Sequence, residues 1–280
     1  MGKVYRRMPW LYRWRATSKP SFQFELVLDL YCRAYNRRNI VPCVIDFFMR
    51  TRLDDFVNNY RHNPVVLLSS MEALDFVRKN RCGRLVNCRH LALSLPDKYR
   101  ITPETRFDKK YDLALCGRQN PVFKEFLDRY VASHPDLYYV YWKDEGNKRV
   151  HYASDGECLG CLENRSDYIN LLRQSRIGLY NTPGIDGGEA RTLGFNQVTP
   201  RFLELLACGC HVLARYKENP DTDYYRLDKF SPSITSYGQF EEAMDRARGT
   251  QPDMAAYASY LENHYTSRRV QEFKDIMSTL

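Results

Sequence analysis

The sequence predicts an α/β protein built from two Rossmann-like units that face each other across a cleft, the first unit reduced. Three observations predict it. The chain has 280 residues, more than one core of ordinary size needs. Apolar strand-like runs alternate with helical stretches, first before residue 95 and again after residue 110. Between them, residues 95–110 are polar and hold Pro96 and Pro103, as a linker would. The expected units are residues 1–108 and 109–280.

Composition narrows the class. Hydrophobic residues make up 44% and charged residues 27%, the balance of a globular chain. No apolar run reaches the length of a membrane span and no signal-peptide pattern is present, so a soluble, cytoplasmic protein is expected. The nine cysteines sit in apolar contexts, which reads as reduced, buried thiols. Cys158 and Cys161 form a lone C-x-x-C. Cys208 and Cys210 are the candidates to complete a zinc site, but no second C-x-x-C exists and no metal is expected. The net charge of +8 is uneven. Residues 1–110 carry 22 Lys and Arg against 10 Asp and Glu; the remainder carries 20 against 24. The basic half should face something anionic.

The elements follow in order. Residues 1–19 interleave six cations with Trp10, Leu11, Tyr12 and Trp14, which suits either packing on the core or a peripheral contact with an anionic membrane. Residues 24–35 read as a helix. Residues 39–46 read as a buried strand, weakened by Pro42. A helix at 53–60, a strand at 65–68, a helix capped by Ser70 and running to Lys79, and a strand at 84–88 complete the first half. The second half opens with a strand at 112–116 that ends in Gly117-Arg118. A helix at 121–132, an aromatic strand at 137–142, a helix at 167–174 and a strand at 176–180 follow. A glycine-rich loop at 181–198 leads to one short helix and an apolar strand at 211–214. Helices at 239–248, 254–262 and 266–277 close the chain.

The short helix is the most informative stretch. Thr199 suits an N-cap, Pro200 the first helical position, and Gly209 the stop. A helix N-terminus favours a phosphate. Arg201 lies just inside it, and Glu204 lies three residues further on the same face. Ligands of such sheets bind beyond the carboxyl ends of the strands. That places Gly117, Arg118 and Lys124 opposite Thr199 and Arg201, a set suited to clamping a diphosphate from two sides. Asp46 and His90 stand at strand ends of the first half, where each is a candidate base for a hydroxyl. Asp221-Thr222-Asp223 is a D-x-D that follows no apolar strand and reads as a polar loop.

These stretches resemble the C-terminal nucleotide-sugar-binding domain of GT-B glycosyltransferases of the family-1 and family-4 type. Residues 111–118 resemble its opening strand and glycine. Residues 201–209 resemble its R-x-x-E-x-x-A-x-G helix, the most specific match. Residues 240–243 and 264–269 resemble its late helix and end pattern. The resemblance implies a metal-independent sugar transfer (EC 2.4 class) from a UDP- or GDP-linked donor to a glycan acceptor. It implies that Glu204 binds donor hydroxyls and that Arg118, Lys124 and Arg201 neutralise the diphosphate. No cofactor beyond the nucleotide-sugar is implied, and no nucleic acid. The position eight before Glu204 is Asn196, where retaining family-4 enzymes carry glutamate; Glu189 lies further upstream. Residues 198–202 also resemble the donor helix of α-1,3-fucosyltransferases, and an exostosin-like branch is a further alternative. A non-enzymatic basic protein that docks on nucleic acid or another anionic surface is the reading from a different class.

Overall fold

A computed structural model describes residues 40–146 and 148–280. The expectations for residues 1–19 and for a helix at 24–35 lie outside the described residues. The rest forms two sheets. The first is wholly parallel, in the order β1 (Cys43–Val44), β2 (Val66–Leu68), β3 (Cys88–His90). Helices α1 (Leu53–Tyr60) and α2 (Met71–Lys79) make its two crossovers. β1 is shorter than the expected 39–46 strand: its ladder spans two residues and Ile45 is already exposed. Proline at 42 has no N–H to give to a ladder. β3 lies at 88–90, not 84–88, because Arg81–Arg84 form a 3-10 turn.

The second sheet has six strands in the order β7-β6-β5-β4-β8-β9. Here β4 is Tyr111–Ala114, β5 Tyr139–Glu145, β6 Lys148–Ala153, β7 Cys158–Cys161, β8 Ser175–Asn181 and β9 His211–Arg215. Strands β5, β4, β8 and β9 are parallel. Strands β6 and β7 extend the β5 edge as an antiparallel ribbon absent from the sequence expectation. Helices α3 (Pro121–Ser133), α4 (Arg165–Arg173), α5 (Arg201–Ala207), α6 (Pro220–Tyr224), α7 (Tyr237–Gly249), α8 (Met254–Leu261) and α9 (Thr266–Ser278) complete it. The parallel strands are buried from both sides, as their apolar runs require. One apolar cluster gathers Tyr180, Phe202 and Leu206; the other gathers Leu113, Phe123, Ile177 and Phe240. Capping fixes the helix starts. Asn120 accepts the N–H groups of Val122 and Phe123 (both 3.0 Å), and Ser236 and Asp253 cap α7 and α8.

The halves are stitched together by buried polar contacts. Asp221 is the main one. Its carboxylate accepts the Ser70 hydroxyl (2.6 Å) and the N–H groups of Met71 (2.8 Å) and Glu72 (3.2 Å) at the start of α2. The D-x-D is therefore not a loose polar loop. It opens α6, and Asp221 is fully buried with its carboxylate on another helix's N-terminus. The 95–110 stretch is also held: Leu95 exchanges backbone bonds with His264 and Thr266 (2.9 Å each), and Tyr99 and Ile101 are buried. The four candidate zinc cysteines do not gather. Cys208 and Cys210 spend their thiols on core carbonyls while Cys158 is exposed on the edge ribbon. Among the described residues, no helix is long and apolar enough to cross a membrane.

Candidate functional site

The site is built where β4 ends and α5 begins. β4 runs into Gly117, whose φ of +71° is left-handed and suits glycine. The turn exposes the Cys116 carbonyl. Arg201, the first residue of α5, donates Nη2–H to that carbonyl and Nε–H to the Tyr168 hydroxyl (3.4 Å). A Cβ on Gly117 would stand 2.3 Å from the Arg201 Nη2. Its φ therefore favours glycine at 117, and any side chain there would push aside the guanidinium tip beside it.

Helix α5 carries Arg201 at its half-exposed start, while residues from Phe202 to Ala207 are all buried. It lies so close to β8 that a Cβ on Gly178 would meet Leu205 at 2.2 Å. Thr199 does not cap the helix with its side chain as expected. Its N–H donates to the hydroxyl of buried Tyr180 (3.0 Å), and its carbonyl accepts Phe202 N–H (3.2 Å). Glu204 is 3% exposed, and its carboxylate pairs with Arg165 at the start of α4. Burial inside the apolar helix is what makes that partner necessary.

Arg118, Lys124 and Arg201 line one narrow crevice of about 20 Å³. Arg118 pairs with Glu189 (2.6 Å) from the glycine-rich loop, and Glu189 also binds Arg191 (2.9 Å). Those two guanidinium groups, Arg191 first, hold the Glu189 carboxyl down to about 2. Lys124 is exposed and pairs with Asp128 one turn away. On the other side of Gly117 an open pocket of about 620 Å³ is lined by Gly117, Lys148, Arg149, His151, Arg165 and Tyr168, among others. The structure thus brings together four of the expected residues, Gly117, Arg118, Lys124 and Arg201; Glu204 is buried one turn further along α5 and meets the pocket wall only through Arg165. Thr199 lies two residues before Arg201.

The acceptor-side candidates fall elsewhere. Asp46 is exposed just past β1, and its charge acts on Arg191 of the glycine-rich loop. His90 packs edge-on against Tyr224, with ring centroids 4.7 Å apart. Burial first, and then the charges of Arg269 and Arg78, push its pKa down to about 4. It is neutral at physiological pH and a weaker base than the near-neutral one expected. Asn196, at the position eight before Glu204, is buried and accepts the Thr182 hydroxyl (2.9 Å). Its backbone N–H goes to Glu72 (2.7 Å). Among the described residues no His, Cys, Asp or Glu cluster is placed to hold a metal.

Trp142, Lys148, Arg149, His151, Arg165 and Tyr168 join the site without a sequence motif to mark them. Most come from the unforeseen ribbon or its flank. The signal was present in the alternation from Lys148 to Ala153 and in the Asp155-Gly156 turn that follows.

Two α/β sheets, with a glycine turn and an arginine-led helix at the strand ends, fit the GT-B class. A family model described as glycosyl transferase-like matches residues 131–275, more than half of the chain, and the chain belongs to that family. Among solved structures the chain is similar to a sucrose-phosphate synthase from Thermosynechococcus elongatus, with a TM-score of 0.52 at 12% identity. That match covers 82% of this chain and 62% of the synthase, so the chain spans less than two thirds of that protein. A GtfA/B complex matches with a TM-score of 0.47 at 12% identity, covering 83% of this chain and 47% of the other. No curated protein sequence matches this chain.

Proposed function

We propose that this protein transfers a sugar from a nucleotide-sugar to a saccharide acceptor, as a hexosyl- or pentosyltransferase. The observation that carries the reading is the Arg201 guanidinium held at the Gly117 turn, between a crevice that Arg118 and Lys124 also line and an open pocket. Breaking the donor's glycosidic bond leaves a diphosphate whose growing charge needs fixed cations. Arg118, Lys124 and Arg201 supply them without a metal. The pocket beyond Gly117 takes the nucleoside, and its volume suits a ligand of that size. Glu204 accepts sugar or ribose hydroxyls once Arg165 yields one of its oxygens. Asp46, beside the glycine-rich loop, is the acceptor-side carboxylate in this reading.

The test is release of nucleoside diphosphate from a panel of UDP- and GDP-sugars, with and without saccharide acceptors. Arg201→Ala removes a charge-assisted partner worth about 1.5–3 kcal/mol, so turnover should fall roughly 10- to 100-fold. Glu204→Ala should fall at least as far. Full turnover in both folded variants would refute the proposal.

A further inference from the structure

The β6–β7 ribbon gives the 620 Å³ pocket a wall that the parallel strands do not provide. Trp142 and His151 are opposed in the β5–β6 register, so they share one face. The Trp142 indole donates to the Gly117 carbonyl (3.1 Å), and the Arg149 guanidinium lies 3.8 Å from its ring centroid. His151 is 3% exposed and lines the pocket. It bonds the backbone of Gly160, its register partner on β7, which leaves Nδ1 buried with no protein partner. An orphaned polar atom of this kind carries an unmet desolvation cost, which a ligand can recover. With Nε2–H given to Gly160, the neutral tautomer leaves a bare lone pair on Nδ1, an acceptor. Burial, aided by Arg149, lowers the His151 pKa and keeps the ring neutral.

We propose that His151 selects the nucleobase of the donor, its Nδ1 accepting the imino N–H of uracil or guanine. The proposal rests on the donor reading above. Uracil carries this proton on N3 and guanine on N1. Cytosine N3 and adenine N1 present lone pairs instead, which would face the lone pair of Nδ1. A site built around one hydrogen bond rejects a ligand that lacks it, because the buried partner stays unpaired. The entering base lifts the exposed Arg149 side chain off Trp142 to reach the ring.

The experiment is equilibrium binding of UDP, GDP, ADP and CDP to the full chain and to two variants. The wild type should bind UDP or GDP at least roughly tenfold tighter than ADP and CDP. The better of the first two identifies the base. His151→Phe should bring all four within about threefold of one another, since phosphate contacts do not depend on the base. His151→Asn, whose amide oxygen can stand near the Nδ1 position, should keep most of the preference. Equal wild-type binding of all four, or an unchanged preference in folded His151→Phe, overturns the role of His151 and leaves the donor reading intact. Should His151→Phe fail to fold, the wild-type ranking and His151→Asn still decide. A wild type that binds no nucleoside diphosphate overturns the donor reading itself.

Discussion

Gly117 concentrates the account at the scale of one residue. Alanine there must hold φ near +71°, which costs about 1–2 kcal/mol, and its Cβ must displace the tip of Arg201. Arg201 is flexible at that end, so the fold should survive while the guanidinium leaves its place. Gly117→Ala should therefore lower the melting temperature by only a few degrees. It should weaken nucleotide diphosphate binding severalfold or more by calorimetry. Unchanged affinity would mean that the Arg201 position is irrelevant to the ligand. Arg201 and Glu204 were legible in the sequence because they sit in one compact motif, and Gly117 because it ends an apolar strand. Arg165 was not: its pairing with Glu204 joins two helices 39 positions apart, and nothing local announces it. His90 was legible only as a residue at a strand end. The ring of Tyr224 that covers it arrives from the other half of the chain.

At the scale of elements, the helices were the readable part, because caps and apolar spacing are local. Ser70 marks a start that the structure keeps, and the helices expected at 121 and 254 begin there, capped by Asn120 and Asp253; the one expected at 239 begins two residues earlier, behind Ser236. The β6–β7 ribbon was passed over because its strands are short and lie on a sheet edge, where apolar alternation is faint. The D-x-D was misjudged for a related reason. Asp221 is buried not by its own neighbours but by the α2 N-terminus, which only the fold brings to it. Removing the carboxylate strands the N–H groups of Met71 and Glu72 and the Ser70 hydroxyl. Asp221→Ala should cost about 1–3 kcal/mol in urea unfolding, more than Asp223→Ala on the exposed side of the same turn. Equal effects for the two would show that the clamp between the sheets contributes nothing.

For the whole molecule, the alternation of strand and helix dictated parallel sheets, and both sheets have them. The junction between the halves could not be read, since it is aromatic and histidine-rich only in three dimensions. His264 lies among Tyr225 and Tyr260, with centroids at 5.4 and 4.4 Å, and burial holds its pKa at about 4. His90 is held at about 4 against Tyr224. Both pKa values are depressed, so the unfolded chain binds protons first. Stability is full above about 6.5 and falls as pH drops from there toward 4, by on the order of 3 kcal/mol for each fully shifted group. The urea midpoint should fall across that window, and His264→Gln should flatten part of the slope. A midpoint independent of pH between 6.5 and 4 would contradict the burial of these rings.

The donor site itself is tested most directly by a crystal structure of the protein with bound UDP or GDP. The diphosphate should lie between Arg118 and the start of α5 with the Arg201 guanidinium against it, the ribose at Glu204 and the base against the β6–β7 ribbon. A nucleotide seated anywhere else, with Arg165 still closed over Glu204, would contradict this placement.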